Sequence, residues 1–280
     1  MLLNLDSQFT PYGTENTIEF TSFTFSGGEP HIKISTDLKN THEVTITHRI
    51  QSFHDMGMLF LATNALRNMD VKTLHVVLPY FPAARQDRLM VSGEPLSVKV
   101  YTELMNAQQY ASVTIFDPHS EVAPALLNNC KVINNHSFIK KVTQQLSEDV
   151  VLIAPDGGAL KKIYKVANYL QKHEVVECSK SRNVTTGQLT GFKVYADDLQ
   201  GKDCLIVDDI CDGGGTFLGL AKALKAKNAG NLYLTVSHGI FSKGFTELEK
   251  QFTKIFTTDS FKTIENAHCV QIPLEELLRK

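Results

Sequence analysis

The segment CLIVDDICDGGGTF, residues 204–217, sets two adjacent acids and then Asp212, Gly213, Gly214, Gly215 and Thr216 directly behind an apolar run. Glycines let backbone N–H groups approach an anion, and a helix starting there adds positive potential, so the loop suits a phosphate monoester. Asp208 and Asp209 cannot ligate phosphate themselves. As hydrogen-bond acceptors they suit the 2- and 3-hydroxyls of a ribose. The acid pair separates this run from a P-loop, which needs GxxxxGKS or GxxxxGKT, and from a dinucleotide-binding GxGxxG. The bland reading of the same residues is a strand, a tight turn with solvated acids, and Thr216 as a helix N-cap.

Further chemistry-bearing residues fall in short clusters. Arg85 and Arg88 offer guanidinium forks to a polyphosphate, while Gln86 and Asp87 can hydrogen-bond to a base or sugar. Asp156 is an oxygen donor suited to a hard cation, and Gly157 and Gly158 beside it can approach diphosphate oxygens. His119 reads by itself as a hydrogen-bonded loop histidine, and imidazole is an unusual ligand for Mg²⁺. Lys180 and Arg182, in VVECSKSRNVTTGQLTGF, read on spacing alone as two charges of a polar hairpin.

These clusters need elements that present them together. Short β-branched runs alternate with amphipathic stretches along the chain, the pattern of βα units around a largely parallel sheet. A helix over 53–69 leads to a strand over 73–78 closed by Pro79. A helix near 97–107 leads to a strand over 112–116, which delivers Asp117, Pro118, His119 and Ser120. A strand over 150–154 delivers Pro155 to Gly158 ahead of a helix near 159–170. A strand over 204–207 delivers Asp208 onward, ahead of a helix near 217–226. Open α/β sheets take ligands at these carboxyl ends. The polar stretch near 128–138 is where two similar halves join, giving expected domains 1–136 and 137–280, each a mainly parallel sheet flanked by helices.

Composition limits the partners. The chain has 280 residues, 42% of them hydrophobic and 21% charged, a globular balance. With 28 Lys+Arg against 30 Asp+Glu, the formal charge of -2 predicts no general attraction to nucleic acid or anionic membrane. Cys130, Cys178, Cys204, Cys211 and Cys269 fall singly, without a CxxC pair, so neither a zinc ribbon nor a disulfide framework is indicated and a reducing cytoplasm is expected. The start, MLLNLDSQFTPYG, lacks a signal-peptide pattern, and no run nears the roughly 18 apolar residues of a membrane span. A soluble, unprocessed protein is expected.

The run DDICDGGGT resembles the phosphoribosyl diphosphate signature of the type I phosphoribosyltransferase fold, usually Asp-Asp, two residues, then Asp-Thr-Gly-Gly-Thr. Within that fold the whole chain, from about residue 20 to 270, resembles the ribose-phosphate pyrophosphokinases. LPYFPAARQDR is similar to that family's ATP loop, the following SGEPLSVK matches the family's layout, FDPHS is similar to its metal and ATP motif, and FSGGEPHIKI to the segment that reaches adenine in a neighbouring subunit. The resemblance implies two phosphoribosyltransferase-like domains, an N-terminal one for ATP and a C-terminal one for ribose phosphate. It implies ATP contacts from Phe25, Glu29, Arg85, Gln86, Asp87, Arg88 and His119, and Mg²⁺ held at His119 and Asp156. It further implies Lys180 and Arg182 as the cations of a mobile catalytic loop, diphosphate at Asp156, Gly157 and Gly158, and ribose phosphate at Asp208, Asp209 and Asp212 to Thr216. A homo-oligomer, a dimer or a hexamer of dimers, follows from the shared adenine pocket.

The reaction so implied is transfer of the β,γ-diphosphate of MgATP to the 1-hydroxyl of ribose 5-phosphate, with AMP leaving. Two departures stand out: Gly213 replaces the usual Thr after the loop acid, and Gly27 replaces the usual acid of the FxxGE segment. Losing a hydroxyl donor to a charged phosphate costs roughly 1.5 to 3 kcal/mol of binding, and it opens the loop. An opened loop suits ADP-ribose as an alternative acceptor, pyrophosphorylated in an NAD salvage route. The remaining alternatives are a catalytically silent regulatory relative and a transferase joining a base to phosphoribosyl diphosphate.

Overall fold

Two parallel sheets organise the chain, one in each of two units. The computed structural model describes residues 1–171, 174–182 and 189–278. One unit comprises Met1–Asn134, Ser260–Thr263 and the stretch from Leu274; the other comprises Asn135–Asp259 and Ile264–Pro273. The chain thus crosses over after Asn134 and returns twice near its end.

In the first unit, the strands β1 (Leu2–Asn4), β2 (Phe20–Thr24), β3 (Pro30–Ile34) and β4 (Glu43–Thr47) precede helix α1 (Phe53–Asn68). Then come β5 (Thr73–Leu78), α2 (Ser97–Ala107), β6 (Ser112–Phe116), α3 (Val122–Leu126) and β7 (Cys130–Ile133). The sheet order β1-β4-β5-β6-β7 is parallel throughout, and β2 and β3 form a separate antiparallel hairpin. A capping box starts α1: the Ser52 side chain accepts from the Asp55 N–H, and the Asp55 carboxylate accepts from the Ser52 N–H at 2.8 Å. Met56, Leu59 and Leu66 of that helix are buried with Ile46, Val76 and Leu78 of the sheet. Each such side chain contributes about 1.5–3 kcal/mol through burial.

The second unit runs α4 (His136–Thr143), β8 (Val151–Ala154), α5 (Leu160–Leu170), β9 (Val175–Arg182), β10 (Leu189–Val194), β11 (Cys204–Cys211) and α6 (Gly215–Lys225). It continues with β12 (Leu232–Gly239), α7 (Thr246–Glu249), β13 (Lys254–Thr258) and β14 (Cys269–Ile272). A last short helix, α8 (Glu275–Leu278), belongs to the first unit. The sheet order is β10-β9-β8-β11-β12-β13-β14, parallel except for the β9–β10 hairpin. Phe217, Leu220 and Leu224 of α6 are buried with Ile206, Leu234 and Val236. The helix comes so close to β10 that a β-carbon on Gly219 would lie 2.1 Å from the Phe192 ring.

One expectation changes. The strand expected over 204–207 runs on to Cys211, because pairing with β12 continues through Asp208↔Val236 and Cys211↔Gly239; the acid pair is therefore in the strand, not after it. The polar stretch near 128–138 contains the division between the units, between Asn134 and Asn135, and also holds β7, an edge strand, and the first turn of α4.

Candidate active site

In the second unit, the carboxyl ends of the neighbouring strands β9, β8 and β11 carry the predicted residues side by side. Asp156 follows β8. Its Oδ1 accepts from the Gly158 N–H at 2.8 Å and the Ala159 N–H at 3.2 Å, closing the Gly157–Gly158 turn into α5. Its Oδ2 meets the Lys180 Nζ of β9 at 2.6 Å, with both side chains about three-quarters buried. Burial alone would raise the Asp156 pKa, but the Lys180 ammonium and the two N–H donors outweigh it and hold the carboxyl below its ordinary value. Lys180 lies within strand β9, not in a loop; the side chain of Arg182, at the end of that strand, lies outside the described residues.

Asp208 and Asp209 occupy the last half of β11. Asp209 is buried and its N–H donates to Asp208 Oδ1 at 2.9 Å. Asp208 keeps a little solvent-accessible surface yet is packed about by protein. That enclosure, then the neighbouring Asp209 carboxylate, pushes its pKa well above the usual carboxylate range, and Asp156 adds to the effect. A pair of this kind gains from donors or a cation arriving with a ligand, and sugar hydroxyls are such donors.

The loop that follows is a turn with Gly214 in the left-handed region, at φ 76°, as the residue before α6. The helix starts at Gly215, so Thr216 sits inside its first turn and the N-cap position carries no side-chain cap. A side chain at 214 would be strained, and its β-carbon would also lie 3.2 Å from Leu248 of α7. Asp212 accepts from the Ser242 hydroxyl at 2.6 Å. The first N–H groups of a helix have no partner within it, so a helix starting at Gly215 without a side-chain cap is the arrangement expected of an anion-binding loop.

In the first unit, β5 runs into a loop anchored by buried Phe81 and Ala84 and by the Val98 N–H donating to the Gln86 carbonyl at 3.2 Å. Arg85, Gln86 and Arg88 are exposed on it. The Asp87 side chain is turned inward, 8% exposed, with Arg88 Nε 3.4 Å away, an ion-pair distance without hydrogen-bond geometry. Asp117 is buried at the end of β6 in the left-handed region (φ 37°), its N–H donating to the Ile133 carbonyl at 2.8 Å, and His119 follows half-buried. Phe25 and Glu29 sit in the β2–β3 turn, where the Phe25 N–H donates to the Glu29 carbonyl at 2.9 Å and Phe25 packs edge-on against Phe23. A β-carbon on Gly27 would lie 2.5 Å from the Glu29 carboxylate, which this glycine allows to fold back.

Comparisons with known proteins bear on the family and the fold. The model of the N-terminal domain of ribose phosphate pyrophosphokinase matches residues 12–108, and that of the phosphoribosyl transferase domain matches residues 131–272. A ribose-phosphate pyrophosphokinase of Thermococcus kodakarensis is 30% identical over 226 residues, covering 80% of this chain and 78% of the relative. The chain belongs to the ribose-phosphate pyrophosphokinase family. The family's enzyme from Pyrococcus abyssi is 28% identical over 265 residues, 93% of this chain and 90% of its own. The crystal structure of a phosphoribosylpyrophosphate synthetase from Mycobacterium smegmatis superposes with a TM-score of 0.85 at 18% identity, covering 99% of this chain and 95% of the other, which gives the ribose-phosphate pyrophosphokinase fold.

Against that family background, the metal question turns on the carboxylates. Among the described residues, no group of three or more His, Cys, Asp or Glu side chains could hold a metal ion. Mg²⁺ that arrives on a nucleotide needs only one or two protein carboxylates, the phosphates and water supplying the rest, and Asp156 fits that requirement. The cysteines offer no rival chemistry: burial pushes the thiols of Cys178 and Cys204 up to about 12 and about 11. No helix among the described residues is long and apolar enough to cross a membrane. Sequence reasoning missed the Ser242 clamp on Asp212, a lone serine 30 residues on; only β11–β12 pairing brings it there.

Proposed function

We propose that this chain is a diphosphotransferase that moves the β,γ-diphosphate of MgATP to the 1-hydroxyl of ribose 5-phosphate, giving phosphoribosyl diphosphate and AMP. The observation that carries the reading is the alignment on β9, β8 and β11 of a cation, a carboxylate and an acid pair that runs into an anion-binding glycine loop. The Gly213–Thr216 amides anchor the 5-phosphate, and Asp208 and Asp209 accept hydrogen bonds from the 2- and 3-hydroxyls. The 1-hydroxyl oxygen then attacks the β-phosphorus in line; the bond from that phosphorus to the α,β-bridging oxygen breaks, AMP leaves with that oxygen, and the hydroxyl proton passes to solvent. Lys180, with Arg182, stabilises charge on the transferred group once the nucleotide draws it from Asp156. Mg²⁺ held by Asp156 and His119 neutralises the polyphosphate when bound.

Within the same proposal, residues 1–136 take the nucleotide through Arg85, Gln86, Asp87, Arg88 and His119, and residues 137–280 take the sugar phosphate and the diphosphate at Asp156, Gly157 and Gly158. Phe25 and Glu29, exposed on their hairpin, complete the adenine site of a second copy in a homo-oligomer of the cytoplasm. The names of the relatives support ribose 5-phosphate as acceptor and do not favour ADP-ribose. Mass spectrometry of products from ATP and Mg²⁺ with each acceptor tests this. Phosphoribosyl diphosphate is expected from ribose 5-phosphate, and efficient turnover of ADP-ribose alone would overturn the assignment.

A further inference from the structure

After β12 the chain folds back over the β11–α6 loop. The Ile240 and Phe241 N–H groups both donate to the Cys211 carbonyl, at 2.9 and 3.0 Å, and the Ser242 N–H donates to the Asp212 carbonyl at 3.2 Å. The Ser242 hydroxyl adds its bond to the Asp212 carboxylate, and the Gly244 N–H closes the turn on the Phe241 carbonyl at 3.0 Å. Phe241 is buried beneath, with its ring against Phe245. This turn is therefore fixed to the anion loop by both main chain and side chain.

Lys243 is the residue so presented. A β-carbon on Gly213 would lie 3.5 Å from its Cε, 3.6 Å from its Cδ and 3.9 Å from its Cγ, so the aliphatic stem lies along the bare face of that glycine. The side chain is exposed, and among the described residues its ammonium has no carboxylate partner. The strand end is acidic, with Asp208, Asp209 and Asp212 close together, and Lys180 is engaged by Asp156. A phosphate monoester entering that field is repelled unless a positive group accompanies it. Gly213 brings no side-chain donor, and its missing β-carbon leaves the surface on which the Lys243 stem rests.

We infer that Lys243 is a phosphate-binding residue of the acceptor site, its ammonium contacting the monoester held by the Gly213–Thr216 amides, with Gly213 and Lys243 acting as a pair. The inference rests on the reading of this loop as the sugar-phosphate site, and calorimetry without ATP separates the two. Wild type, Lys243→Ala and Lys243→Arg are titrated with ribose 5-phosphate and, separately, with inorganic phosphate, and the variants are then assayed for AMP release.

The loss of a hydrogen bond to a charged group predicts that Lys243→Ala weakens ribose 5-phosphate binding by about 10- to 100-fold. Its KM for ribose 5-phosphate rises to match, while kcat and the KM for ATP stay within about 3-fold, and Lys243→Arg recovers most of the affinity. Unchanged ribose 5-phosphate affinity in Lys243→Ala would overturn the role of Lys243 whatever the activity. Binding that depends on Lys243 in a protein releasing no AMP would sustain it and sink the reaction. Absence of binding by wild type would sink both.

Discussion

The strand ends of the two units differ in how much of a site they hold ready. In the second unit the groups are already engaged: Lys180 on Asp156, Ser242 on Asp212, Asp209 on Asp208, and Gly214 fixed in the one conformation that starts α6. In the first unit the backbone is anchored through Phe81 and Ala84, while the side chains of Gln86 and Arg88 are exposed at its surface. The contrast follows from the ligands proposed for each. A small sugar phosphate has few atoms to hold, so its site must be built beforehand, with the desolvation of acids met by the fold. A long, highly charged polyphosphate can order flexible guanidinium groups around itself on binding.

The largest expected effect breaks the preformed side. Lys180→Ala removes the cation aimed at the transferring group and should lower kcat about 10²- to 10³-fold, read as the rate of AMP release at saturating substrates. A drop below about 3-fold would place Lys180 outside the reaction. Gly214→Ala forces a β-carbon onto a left-handed residue and against Leu248, and should cost about 1–3 kcal/mol of stability by chemical denaturation, with loss of ribose 5-phosphate affinity. An unchanged midpoint would show that the loop adapts freely.

Asp208→Asn sharpens the comparison through its sign. The folded protein raises the pKa of Asp208 above its unfolded value near 3.8, so the folded state binds the proton more tightly. The stabilisation from this group is complete below that value and lost as pH rises through the folded pKa. At neutral pH, above the unfolded value, this group therefore costs stability, and Asp208→Asn should raise Tm by roughly 2–4 °C there, for a change of about 1 kcal/mol, while reducing turnover. An advantage that persists at pH values below 3.8, or a fall in Tm at neutral pH, would show that the acid pair is not strained. The smallest effect belongs to the exposed side: Arg88→Ala, with its neighbour Asp87 turned inward, should raise the KM for ATP by about 3- to 10-fold and leave the affinity for ribose 5-phosphate unchanged. A change in sugar affinity alone would reverse the assignment of the two units.

Much of this arrangement was legible from residue patterns. The strands over 73–78 and 112–116 and the helix over 97–107 appear with the bounds expected of them, because β-branched runs, Pro79 and clean helical spacing all agree. Resemblance to ribose-phosphate pyrophosphokinases read the family correctly from DDICDGGGT and PAARQDR. Local pattern failed where tertiary pairing decides. Two adjacent acids argue against a strand, yet β11 continues through them because β12 supplies the hydrogen bonds. CKVI, in a polar stretch, becomes β7 only because β6 lies beside it. Lys243 is an ordinary lysine in the sequence, and its place against Gly213 depends on the turn after β12.

The reaction itself is tested most directly by the fate of labelled phosphorus. With ribose 5-phosphate and Mg²⁺ present, ATP labelled at the β-phosphate should pass its label to the sugar product, while ATP labelled at the α-phosphate should leave all of its label in AMP. Label from the β-position remaining in ADP, or AMP appearing at the same rate without the sugar phosphate, would contradict diphosphate transfer by this chain.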